Sequence, residues 1–262
     1  MDNYLFFEAP VEVLGVICLS LMLACSEAGF CFGLKARGSV NEAVRSRIAI
    51  FEGALLGVLG LLMGFTMSMG ATRFEVRRQL VVQESNAIGT TWLRSMMLPQ
   101  PENTEFIAVL SRYVDARVNF ASARKLSELP QLREVATRLQ PEIWSRVTAF
   151  AARDPRSVPA GLLLETTNQM IDLEATRWAS FWGHVPRSVI SVNLFIAMLA
   201  AALLGYGFGL VGKRQIVPIL MLALSISAVL TVIVDLDRPW QGYIRVSQQP
   251  MIDLQKQLNS AR

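Results

Sequence analysis

Two aspartates, Asp235 and Asp237, close the most apolar run of the chain in the stretch "VIVDLDRPWQGY". Carboxylates so placed could divide general acid and base work or share a cation. Nothing in the sequence completes such a site. There is one histidine, His184, and the three cysteines, Cys18, Cys25 and Cys31, all fall within one apolar run. No phosphate loop of the form G-x-x-x-x-G-K-[ST], no G-x-S-x-G elbow and no H-E-x-x-H is present. The glycines of "GYGFG" (Gly205, Gly207, Gly209) lack the strand-turn-helix setting of a dinucleotide site and read as close helix packing. The sequence therefore predicts no catalytic residue, no metal site, no cofactor and no enzyme. The two aspartates read as the point where a helix leaves a bilayer. Glu27 and Glu52 remain as ionisable groups inside apolar runs, where a carboxyl costs about 2.5–3.5 kcal/mol at mid-membrane and less near the ends. They are the intramembrane candidates for function.

The elements that must position these residues follow from hydropathy. Of 262 residues 52% are hydrophobic and only 18% charged, below the quarter or so usual in soluble domains. The net charge of +4 comes without a basic cluster, which argues against a nucleic-acid partner. Four runs are long enough to cross a bilayer: about 10–34, 48–71, 188–212 and 216–234. Between the second and third lies a charged, glutamine-rich region with helical periodicity, broken at Pro99/Pro101, Pro130, Pro141 and around Pro159. The fold predicted is an all-α integral membrane protein. It has a first transmembrane pair (1–71), a helical extramembrane domain (72–186), a second pair (187–235) and an interfacial C-terminal tail (236–262). Trp178, Phe181 and Trp182 before the third span, and Trp240 and Tyr243 after the fourth, read as interfacial anchors. Lys35, Arg37, Arg45 and Arg47 in one short connection, with Lys213 and Arg214 in the other, place both on the cytoplasmic side. Termini and helical domain are then periplasmic.

The second span is the most informative. In "FEGALLGVLGLLMGFTMSMGATRFEVRR" small residues recur every three or four positions, at Gly53, Gly57, Gly60, Gly64, Ser68 and Ala71. One helix face is nearly bare, which permits backbone-close packing or lines a pathway among subunits.

"GFTMSMGATRF" resembles the bestrophin anion-channel segment in which a Gly-Phe pair is followed by Arg and an aromatic. Here those positions are Gly64, Phe65, Arg73 and Phe74. In bestrophins this helix lines a pentameric pore, with a hydrophobic neck of residues four apart. Carried over, the neck is Gly57, Leu61 and Phe65; Gly57 departs from the bulky residue expected, and with it the tight three-ring constriction. The tail "LDRPWQGYIRVSQQPMIDL" resembles the C-terminal signature of a bacterial family of four-span membrane proteins with a bestrophin-like domain. It is met by Asp237, Arg238, Pro239, Trp240, Gly242, Val246, Ser247 and Pro250. That resemblance implies a multi-pass protein of the bacterial inner membrane. It conflicts with the orientation read from charge, because the corresponding bestrophin domain is cytoplasmic.

The function expected is an oligomeric ion channel, for anions, with Gly57, Leu61, Gly64, Phe65 and Ser68 lining the axis. Its partners are the lipid bilayer, further copies of itself (five by the resemblance) and inorganic anions. The alternative is a membrane-anchored structural or sensory protein whose helical domain binds a partner without transport. It predicts a glycine face packed between spans of one subunit.

Overall fold

The computed structural model of the chain describes residues 10–121, 123, 126–238 and 242–260. The described residues form eight α-helices and one 3-10 turn, with no strand. In chain order they are α1 (Val11–Ala36), α2 (Glu42–Ser95), α3 (Glu102–Ala121), α4 (Leu129–Ala151), α5 (Val158–Phe181), α6 (Arg187–Val211), α7 (Ile216–Asp237) and α8 (Gln249–Ser260). Four of them, α1, α2, α6 and α7, are long and apolar enough to cross a membrane. The protein is a multi-pass membrane protein.

Hydropathy ends the second span near Ala71, but no proline interrupts the chain between Pro10 and Pro99. Helix α2 accordingly runs on to Ser95. Prolines act as expected at helix starts, with Pro130 and Pro159 in the first turns of α4 and α5. Pro141 differs: it lies inside α4 without ending it.

The chain divides into two compact units, Met1–Arg73 with His184–Ile244, and Phe74–Gly183 with Arg245–Arg262. The tail is thus shared between them at Ile244/Arg245.

In the first unit, α1 and α6 approach at backbone distance. A β-carbon on Gly29 would overlap the Ala202 carbonyl, and one on Gly33 the Tyr206 carbonyl. From the other side, β-carbons on Gly205 and Gly209 would overlap the Ser26 and Phe30 carbonyls. "GYGFG" is therefore half of a glycine seam, with Gly29 and Gly33 as the other half. Around the seam Met22, Leu59, Met63, Ala197, Ala200, Ala223 and Ile233 form one buried cluster. Asn193 donates to Thr66 Oγ1 at 2.8 Å, tying α6 to α2. Gly205→Leu forces the two backbones apart and is expected to destabilise by at least the ~1–3 kcal/mol of an overpacked core. The thermal unfolding midpoint in detergent measures this, and an unchanged midpoint contradicts the seam.

In the second unit, α3, α4, α5, α8 and the later part of α2 enclose Ile88, Phe106, Leu110, Tyr113, Ile143, Val147, Leu163 and Met170. Helix α8 closes this core with Met251, Leu254 and Leu258, three or four residues apart on one face. Ser85 Oγ donates to the Pro250 carbonyl at 2.9 Å. Trp178, read as an interfacial anchor, packs edge-on to Phe120 and under the Arg133 guanidinium, and Phe181 also meets Phe120 edge-on.

Candidate functional site

An α-helix with small residues every three or four positions presents a shallow face, and its function depends on what covers that face. On α2 the covered side is the opposite one, where Leu59, Met63, Thr66 and Gly70 are buried within the unit. The sequence-predicted row Gly57, Leu61, Gly64, Phe65 and Ser68 is exposed throughout. Leu61 is 60% and Phe65 62% accessible. Among the described residues nothing but the adjoining backbone of α2 and the neighbouring residues comes within 4 Å of where a β-carbon would stand on Gly53, Gly57, Gly60 or Gly64. The structure thus brings these five residues onto one open face of the protomer. Two bulky side chains, Leu61 and Phe65, rise from it one turn apart, on a floor of glycine and serine.

Of the intramembrane acids, Glu27 is engaged by Arg214 at 2.7 Å, and Arg214 lies over the Phe30 ring. That pair joins α1 to the connection between α6 and α7, a structural use. Glu52 is half-buried, its Oε2 beside Gly207, and its Oε1 is buried without a hydrogen-bond partner among the described residues. Arg73 and Phe74 follow on α2 at half-buried positions.

The aspartates at the end of α7 do more than mark a bilayer exit. Asp235 and Asp237 are both buried. Asp235 accepts from the Tyr243 N–H at 3.1–3.2 Å and from the Ile244 N–H at 2.9 Å, so one carboxylate fixes the turn that follows. Gly242 in that turn has φ +109, and a β-carbon on it would overlap the Asp235 carboxylate. The conformation and the close approach both demand glycine there. Asp237 accepts from the Val185 N–H at 2.9 Å, and the His184 ring lies 3.2 Å from it. Arg238, also buried, lies within electrostatic reach of both acids. Tyr243 in turn donates its hydroxyl to Glu12 at the start of α1. Of the signature residues, Asp237, Arg238 and Gly242 therefore belong to the fastening of the last span; Pro239 and Trp240 lie outside the described residues. Asp235→Asn removes the charge from three backbone hydrogen bonds and is expected to cost about 1–3 kcal/mol, read as a lower thermal midpoint in detergent.

Sequence reasoning missed a buried ionic row in the second unit. Arg177 and Arg117 both engage Glu84, the latter through Nε at 2.6 Å. Arg117 also reaches Glu174 at 3.6 Å, and Glu174 accepts from Arg133 at 3.0 Å. Glu84 is 0% and Arg117 1% exposed. Arg177 further donates to Gln248 Oε1 at 3.0 Å, so the row ties α2, α3, α4 and α5 to the start of the tail. The sole signal in the sequence is Arg117 falling on the apolar face of α3, between Val114 and Val118.

Comparison with known proteins places this arrangement. Residues 30–251 match the model of the bestrophin-like domain. A solved bacterial bestrophin homolog from Klebsiella pneumoniae, in a tryptophan-to-alanine form, superposes with a TM-score of 0.68 at 13% identity, over 97% of this chain and 98% of that chain. An aspartate-to-alanine form of the same homolog gives 0.68 at 13%, over 94% of this chain and 97% of that one. The form solved by zinc phasing gives 0.65 at 14% over the same shares. At such identity the likeness is one of fold. No curated protein matches the chain in sequence.

Proposed function

This chain belongs to the bestrophin-like family, and on that premise we propose that it is an oligomeric membrane channel for small inorganic anions. The second span of each subunit faces the axis, and the protein is not an enzyme. One observation carries the reading: the row Gly57, Leu61, Gly64, Phe65, Ser68 is the face of α2 that none of the described residues of its own subunit covers. The alternative of a purely structural anchor needs that face packed against sister spans, and the open glycines count against it. Several copies around an axis, five in the arrangement that the resemblance implies, turn the open faces inward. The glycine floor keeps the lumen wide, while Leu61 and Phe65 form two apolar rows that resist wetting. Phenylalanine suits an anion path, because the ring edge carries the positive part of its quadrupole. The named solved relatives are bestrophin homologs, which supports the same reading.

The basic residues of the two short connections support a cytoplasmic position for both in the bacterial inner membrane, with the helical unit outside. Labelling Ser127→Cys and Ser260→Cys in whole cells decides the sidedness. The test of function is chloride efflux from liposomes holding the purified oligomer. Efflux above that of protein-free vesicles is expected; none from a folded oligomer contradicts the proposal.

A further inference from the structure

The first unit contains a second chemically marked feature, away from the open face of α2. A cleft of about 210 Å³ opens between the first turns of α2 and the last turns of α6. Arg45 and Glu52 on α2 supply its charged groups. Ile48, Leu204, Phe208 and Val211 are among its apolar walls. Each of these side chains has one atom buried without a hydrogen-bond partner among the described residues, Arg45 Nε and Glu52 Oε1. Arg45 spends its Nη2 on the Arg37 carbonyl at 3.5 Å, which leaves the Nε edge uncommitted. Glu52 Oε2 lies beside Gly207, where the missing side chain leaves it room.

These two groups do not neutralise each other. Seven residues apart, they share one face of α2 two turns apart, with Cα atoms separated by about 10 Å of helix rise. No ion pair within 4.0 Å joins them among the described residues, so a ligand that satisfies both must be cationic at one end and anionic at the other. The walls between and beside them are aliphatic and aromatic, so the same ligand must carry hydrocarbon. The cleft lies where one span begins and another ends, the depth at which lipid headgroups sit.

We propose that this cleft is a binding site for a zwitterionic phospholipid with a primary ammonium group. The phosphate accepts from the Arg45 guanidinium, the ammonium donates to the Glu52 carboxylate, and an acyl chain lies along Ile48, Leu204 and Phe208. An ammonium with N–H donors fits the unpartnered carboxylate oxygen, whereas a quaternary ammonium offers that oxygen no hydrogen bond. An anionic headgroup without the ammonium leaves Glu52 unanswered and repelled. The site is independent of the channel reading, since none of its residues belongs to the proposed pore row.

The test uses the purified full-length protein in nanodiscs of phosphatidylcholine. Into these, phosphatidylethanolamine, phosphatidylglycerol or further phosphatidylcholine is titrated, with bound lipid read by native mass spectrometry. Selective retention of phosphatidylethanolamine is expected. Glu52→Gln should weaken it by about tenfold, the effect of losing one charge-assisted hydrogen bond, and should raise phosphatidylglycerol retention by relieving the like-charge repulsion. Arg45→Gln should weaken both. Gly207→Leu, which keeps both charges and fills the cleft, should abolish retention; it also keeps the test valid where a charge variant fails to fold. Equal retention of the three lipids by the wild type overturns the proposal. So does undiminished phosphatidylethanolamine binding in Glu52→Gln or Gly207→Leu, or a disulfide between neighbouring copies through Ile48→Cys, which assigns the cleft to a subunit contact.

Discussion

Phe65→Ala is expected to raise chloride efflux by about tenfold, the effect of removing some 1.4 kcal/mol from a barrier. The side chain stands exposed on the open face of α2, one turn beyond Leu61. In the oligomer proposed above it forms the narrower of two apolar rows, since Gly57 offers no third. A ring of aromatic groups holds back ions chiefly by disfavouring water in the lumen. Truncation to alanine widens the ring and removes most of its apolar surface. It also removes the ring edges turned toward the ion, so discrimination of chloride over potassium should fall as the rate rises. Leu61→Ala should raise the rate less and leave selectivity nearer the wild type. Efflux and reversal potentials from the same preparations separate the two effects. Stability should barely move, because neither side chain is packed within its own subunit.

Glu84→Gln carries the largest expected cost to stability, about 3–5 kcal/mol, as a buried pair that loses one member leaves charge uncompensated. Here a single carboxylate faces two guanidiniums, those of Arg117 and Arg177. Glu84 lies beyond the apolar run of α2, in the helical unit. Burial by itself would push its carboxyl up, yet the charges and hydrogen bonds of Arg177 and Arg117 outweigh this and hold it below its ordinary value of 4.5. A folded value below the unfolded one means that ionised Glu84 favours the folded unit. The contribution is full at neutral pH and is lost as the pH falls below 4.5 toward the folded value. Tyr113, fully buried nearby, is pushed well above the ordinary tyrosine range by burial and by the Glu84 charge, so it stays protonated throughout that window. Thermal unfolding against pH should show the wild type losing more stability on acidification than Glu84→Gln does. Replacing Glu84 and both of its guanidinium partners together, with Glu84→Leu, Arg117→Met and Arg177→Met, should be far milder than Glu84→Gln alone, since Glu174 keeps Arg133.

The two parts of the fold were unequally legible in the sequence. Spans announce themselves because each must be apolar over its own contiguous length, so composition alone finds α1, α6 and α7. The far end of α2 has no such marker. Past Ala71 its residues alternate charge and apolarity like any amphipathic helix, and continuity rests on the absence of a proline. The open row from Gly57 to Ser68 was visible as a period of small residues, but period does not say which side is covered. The same period in "GYGFG" turned out to be a packed seam, and its partners Gly29 and Gly33 lie more than 170 residues earlier. Long-range ionic pairing is harder still. Glu84, Arg117 and Arg177 are 33 and 93 residues apart in their pairings, and each on its helix resembles a solvated charge. Asp235 and Asp237 were half legible: acids after an apolar run fit a membrane boundary, but their hydrogen bonds to Val185, Tyr243 and Ile244, which make them buried fastenings, leave no mark in the sequence.

The central claim, that the open face of α2 lines the conducting axis, is tested most directly by thiol modification. Single cysteines replace Gly57, Leu61, Gly64, Phe65 or Ser68, and Leu59 or Met63 as controls, in protein freed of Cys18, Cys25 and Cys31. A water-soluble methanethiosulfonate is applied while chloride efflux is followed. Modification at Leu61→Cys and Phe65→Cys is predicted to block efflux, with graded effects at the other three positions and none at Leu59→Cys or Met63→Cys. Full efflux after complete labelling of Leu61→Cys and Phe65→Cys would contradict the account.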